Sequence, residues 1–124
     1  MNKDAVTQYL TEQYGAVPDY PWEAYPTYCV FRHRENQKWF ALLMDVPRKH
    51  LGLPGTDTVN VVNVKCDPLM IGSFRENSGV LPAYHMNKAH WLSVLLDGTA
   101  DDDTVRTLLD ISYALTDKKP KRRS

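Results

Sequence analysis

The sequence predicts an α+β domain, an antiparallel sheet with helices packed against one face. Three observations carry this. Residues 27–33, 38–46 and 58–66 form runs rich in β-branched and aromatic side chains. The connections between them are of hairpin or short-loop length, which suits antiparallel neighbours. Helix-start signals stand at the chain's beginning, at Asp67-Pro68 and at Asp101 to Asp103.

In chain order, Asn2 is placed to cap a first helix, with Val6, Leu10, Gln13 and Tyr14 at helical spacing and Gly15 as its stop. Pro18, Pro21 and Pro26 forbid a helix over residues 16–26. Tyr20, Trp22 and Tyr25 in that stretch suggest a loop folded onto the core or an exposed aromatic surface. Residues 27–33 read as a strand covered on both faces. Arg34 to Gln37 read as a hairpin turn, and Lys38 to Val46 as the return strand. A loop with Gly52, Pro54 and Gly55 leads to a third, valine-rich strand over 58–66. Asp67 caps a second helix with Pro68 at its first position, and Leu69, Met70 and Phe74 supply its apolar side. Leu81 to His85 suggest a short extended piece, and Trp91 to Leu96 a strand closed by Asp97-Gly98. Asp101 to Asp103 suit the positive end of a last helix, with Val105, Leu108, Leu109, Ser112 and Leu115 along it. The order is helix, three strands, helix, one or two strands, helix.

The length of 124 residues fits one domain over residues 1–117, followed by a basic, disordered tail at 118–124. A hydrophobic content of 43% supplies a core without disulfides. Cys29 and Cys66 stand alone in strand-like runs, as buried reduced thiols would. No apolar window approaches the roughly 18 residues of a membrane span, and Met1 to Asp4 do not open an export signal. These features predict a cytoplasmic monomer with no membrane contact.

The zero net charge conceals asymmetry. Residues 1–117 hold 10 basic and 15 acidic groups, a net of −5, and the tail holds the other five cations. Within residues 1–117, the stretch 32–88 is basic, eight cations against five acids. A polyanion would prefer that segment or the tail.

Enzyme signatures are missing. There is no phosphate loop, dinucleotide fingerprint, nucleophile elbow or HExxH. His85 and His90, five apart, would point to opposite faces of a strand. The aspartate run is better explained as a helix cap than as a cation site. No catalytic residue, metal site or cofactor is expected. Binding is the remaining class. Arg32, Arg34 and Lys38 flank the first hairpin turn, and Arg48 and Lys49 begin the loop at the far end of the second strand. Ordinary solvated strand ends explain the same cations.

Three blocks carry a family resemblance. They are Lys38-Trp39-Phe40-Ala41-Leu42, with Tyr28 to Phe31 before it; Val61 to Pro68; and Pro82 to Trp91, running on to Gly98. In these the chain resembles the MmcQ/YjbR family. The resemblance implies an αβββαββα-type, two-layer fold like that of secretion chaperones. It also implies DNA binding through a proposed double-wing motif, with Lys65, Tyr84, Asn87, Lys88, His90 and Trp91 as matched residues. On that reading Lys65 and Lys88 contact phosphates, and Asn87, His90 and Trp91 make polar or stacking contacts. The competing expectation is a protein- or small-ligand-binding adaptor, with Tyr20, Trp22 and Tyr25 lining a pocket. Asn87, Lys88 and His90 would then only tie the sheet to the second helix.

Overall fold

The computed structural model describes residues 1–117; the tail expected to be disordered lies outside the described residues. Helix α1 spans Lys3–Tyr14. The Asn2 side chain accepts a hydrogen bond from Ala5 N at 2.8 Å, and Gly15 ends the helix at φ 64°. That left-handed turn suits a residue without Cβ. Strands β1 (Cys29–Arg32), β2 (Trp39–Pro47) and β3 (Thr58–Lys65) follow, with a 3-10 turn at Arg48–Leu51. Helix α2 is Pro68–Phe74, β4 Val80–Pro82, β5 Trp91–Leu95 and α3 Asp102–Thr116. This is the expected order, with the uncertain fourth strand present.

All pairings are antiparallel, in the order β1-β2-β3-β5-β4. Alternation along the strands divides the core in two. On one face Phe31, Phe40, Leu43, Val62, Val64, Leu92 and Val94 meet Val6 and Leu10 of α1 and Val105, Leu108 and Leu109 of α3. On the other, Val30, Leu42, Met44, Val46, Val59, Val61 and Leu95 lie under loops, through Trp22, Tyr28, Leu51, Leu81, Tyr84 and Met86. The helices thus occupy one face, as the hairpin reading requires. Both cysteines are buried and unpaired, and burial pushes both thiols above their ordinary range.

Four sequence expectations change. Leu69 and Met70 face solvent, Leu69 at 92% exposure; α2 packs instead through Ile71 and Phe74. In so short a helix the Asp67 cap and Pro68 fix the phase, and the later turn meets the core. Leu115 lies outward because Thr116 takes the buried slot, its hydroxyl bonded to Ser112 O at 2.8 Å. On α1, Gln13 is exposed while Tyr9 packs inward. The short extended piece is Val80–Pro82 and ends before His85.

Ser112 joins the two layers. Its fully buried hydroxyl donates to Phe40 O at 2.6 Å and accepts from Lys65 N at 2.8 Å. One side chain satisfies backbone groups of two neighbouring strands. Ser112→Ala leaves both without that partner and is expected to lower unfolding free energy by about 1–3 kcal/mol. Urea denaturation measures this; an unchanged midpoint would refute the role given to the hydroxyl.

Candidate functional site

The loop after β4 does not extend beyond the sheet but folds back across its helix-free face. Asn63 on β3 pairs with Ser93 on β5. Ser93 Oγ donates to Asn63 Oδ1 at 2.5 Å and accepts from Tyr84 N at 2.8 Å, while Asn63 Nδ2 donates to Tyr84 O at 2.9 Å. The three groups close a ring of hydrogen bonds. Both side chains are fully buried, so every partner matters. Asn87 shapes the rest of the loop: its Oδ1 accepts from Ala89 N at 2.8 Å and its carbonyl from Trp91 N at 2.9 Å. The His90 carbonyl accepts from Cys66 N at 2.8 Å, beside the start of α2.

Fixed this way, Tyr84 reaches toward the 3-10 turn. Its hydroxyl lies 3.3 Å from His50 Nδ1, and its ring centre is 4.0 Å from that of His85. His85 sits at φ 61°, a conformation that non-glycine residues adopt at a cost and that often marks functional loops. Around these residues opens a cavity of about 600 Å³, lined by Ala24 to Tyr28, Asp45, Pro47, His50, Tyr84 and His85. A smaller one of about 370 Å³ shares His50, Tyr84 and His85 and reaches Lys88. Tyr25 and Tyr28 stack at 4.8 Å. Burial raises the Tyr28 hydroxyl pKa, with Tyr84, Tyr25 and Asp45 adding to it. That hydroxyl stays protonated and able to donate.

The nine cations and polar residues singled out from sequence differ in their surroundings. Arg32 is ion-paired with Asp19. Arg48 Nε is 2.9 Å from Asp57 and its Nη1 3.6 Å from Asp97. Burial acts to raise the Asp97 carboxyl, but hydrogen bonds from Thr99 and the Arg48 charge hold it below its usual range. Arg34 and Lys38 belong to a turn pinned under the end of α3, where Asn36 Nδ2 donates to Thr116 O at 2.9 Å and His33 Nε2 lies 2.7 Å from Thr116 Oγ1. Arg34 there borders a separate cavity of about 350 Å³ with Tyr14, His33 and Tyr113. Lys65 is half-buried opposite Trp91. By register it lies beside Phe40, eight residues from Arg48 along β2 and its exit, roughly 25 Å at strand rise. Lys49, Lys88 and His90 are exposed. The Asn87 side chain bonds the loop's own backbone, and His90 reaches the end of the sheet only through its carbonyl, on Cys66 N. Trp91 is half-buried. Trp22 is half-buried against Trp39 and Tyr28, while Tyr20 and Tyr25 are more than half exposed.

Sequence reasoning missed Asp45, Tyr28 and His85 as site residues. The one legible signal was Asp45 itself, a lone carboxylate inside the apolar run Ala41 to Val46. Among the described residues no group of three or more His, Cys, Asp or Glu is arranged to hold a metal ion. No described helix is long and apolar enough to cross a membrane.

The family model YjbR matches residues 11–115, and the chain belongs to that family. It is 38% identical to the Bacillus subtilis protein YyaQ over 94% of this chain and 98% of that one. It is 42% identical to Escherichia coli YjbR over 53 residues, 42% of this chain and 45% of that one. The fold recurs in the crystal structure of a Pseudomonas syringae protein, at TM-score 0.91 and 44% identity, covering 94% of this chain and 99% of that one. A Deinococcus radiodurans protein is similar at TM-score 0.71 and 25% identity, over 95% and 80% of the two chains.

Ser93→Ala breaks the ring that holds the loop. It is expected to cost about 1–3 kcal/mol of stability and to speed hydrogen exchange at Tyr84 N selectively. Uniform loss of protection across the sheet would contradict a local role.

Proposed function

We propose that this chain is a non-enzymatic binding module whose working surface is the loop-covered sheet face, with a small ligand seated against Tyr25, Tyr28 and Tyr84. One observation carries this reading: the cavity of about 600 Å³ with aromatic and imidazole walls and a few polar groups. Its size and lining are those of small-molecule sites, roughly 300–1,000 Å³ with convergent polar groups. Tyrosine rings offer large contact area with little entropy to lose. The second half of the trough, toward Lys88, extends the same surface.

The nucleic-acid reading has its own support. Arg34, Lys49, Lys65 and Lys88 make no ion pair among the described residues, so each is available to a phosphate. Arg32 and Arg48 are already paired. Contacts of this kind give weak, salt-sensitive binding with little sequence preference.

A fragment screen by saturation-transfer NMR tests the first reading. Hits are expected to shift signals of Tyr25, Tyr28, Tyr84 and His50, and Tyr84→Ala to abolish them. A library that leaves those signals unmoved would reject it. For nucleic acid, labelled duplex and single strands are titrated at about 50 and 200 mM salt. Binding by the folded body requires loss on Lys88→Ala combined with Lys49→Ala, in a protein whose thermal melt is unchanged. Binding that vanishes only on deletion of residues 118–124 assigns it to the tail instead.

A further inference from the structure

The two cavities of the loop-covered face meet at one side-chain cluster. Tyr84, His50 and His85 line both, with the Tyr84 hydroxyl 3.3 Å from His50 Nδ1 and the Tyr84 and His85 ring centres 4.0 Å apart. The smaller cavity has no carboxylate in its lining. Its basic groups are His50, His85 and Lys88, and Lys88 joins no ion pair among the described residues. The one carboxylic residue bordering the larger cavity, Asp45, stands between Met44 and Val46 on β2. Those two belong to the loop-covered face, so alternation turns the Asp45 side chain to the helical one. Phenol, imidazole N–H and ammonium are all donors, and each bonds an ionised acceptor more strongly than a neutral one. The rest of the smaller lining is aliphatic and adds no side-chain donor. At the other end of the trough the wall is aromatic, Tyr25 stacked on Tyr28.

We propose that this trough binds a small aromatic carboxylic acid, its carboxylate at the Tyr84 hydroxyl, His50, His85 and Lys88 and its ring against Tyr25 and Tyr28. The inference rests on the small-ligand reading above and names the chemical class of that ligand. A flat ring suits the tyrosine faces, and a carboxylate suits a short set of donors. A phosphate monoester brings a charge of about −1.5 to −2 and more acceptor oxygens, which this partly aliphatic end matches less well. The net charge of −5 over residues 1–117 opposes an anion at long range, but salt screens that field within about 10 Å. Recognition therefore rests on the donors in contact.

The test is a two-dimensional amide NMR titration of the full chain with phenylacetate, 2-phenylethanol, 2-phenylethylammonium and phenyl phosphate as probes. Phenylacetate is expected to shift the Tyr28, His50, Tyr84 and Lys88 signals, and the other three to bind more weakly. Lys88→Gln and Tyr84→Phe are each expected to weaken phenylacetate about three- to fivefold, the loss of one exposed charged contact. The buried ring holds Tyr84 by its backbone, so Tyr84→Phe keeps the loop in place. Arg34→Gln, at the separate cavity, is expected to change nothing. A tetrapeptide ending in phenylalanine carries the same two groups on a chain terminus and is expected to bind more weakly than phenylacetate. If the alcohol or the ammonium binds as tightly as the acid, or neither Lys88→Gln nor Tyr84→Phe weakens it, the carboxylate assignment is overturned and the small-ligand reading survives. An Arg34→Gln loss as large as that of Lys88→Gln overturns it too, as a general charge effect. Tighter binding of phenyl phosphate reassigns the anion to a phosphate, and equal binding of the tetrapeptide reassigns it to a protein end; either overturns the small-acid assignment. If no probe shifts these signals the assignment also falls, and the small-ligand reading falls with it only if the fragment screen fails as well.

Discussion

The buried ring joining Asn63, Ser93 and the Tyr84 backbone decides what kind of surface this molecule has. A five-stranded sheet has two faces to cover, and α1, α2 and α3 serve only one. Without the ring, the segment between β4 and β5 would be a long hairpin loop in water. The part of the second face under Tyr84 and Met86 would then lie open, an aggregation hazard. Two polar side chains on adjacent strands turn the loop back and hold it there. Because both are sealed from solvent, each lost bond leaves a buried group unsatisfied, which costs more than the bond contributed.

This arrangement explains the unequal texture of the two faces. Against helices, the sheet presents close-packed aliphatic and phenylalanine side chains, and Ser112 is the one polar bridge described here between α3 and two strands. A loop follows a sheet surface less evenly than a helix does. It leaves gaps, and here the gaps are walled by tyrosines and histidines. Acidic residues gather on the helical side because they cap and begin helices there: Asp101, Asp102 and Asp103 at α3, Asp67 at α2, Asp4 in α1. The charge asymmetry read from sequence is therefore partly a by-product of helix construction. It does not by itself build a positive face, as the pairing of Arg32 and Arg48 shows.

Most of the architecture was legible in the residues. Alternation in β1, the apolar run of β2 and the valines of β3 announced strands, while Asn2, Gly15, Asp67-Pro68 and Asp101 marked helix ends. These are local signals, and local physics decides them. The misreadings concern phase and folding back. Leu69 and Met70 look as apolar as Ile71 and Phe74, and only the docking angle of α2 distinguishes them. Nothing near Pro82 says that the next eight residues reverse over the sheet, because the partners that reverse them, Asn63 and Ser93, sit in other segments. The candidate site suffers most from this. Tyr28, His50 and Tyr84 come from three separate segments, and the ring brings Tyr84 to the other two.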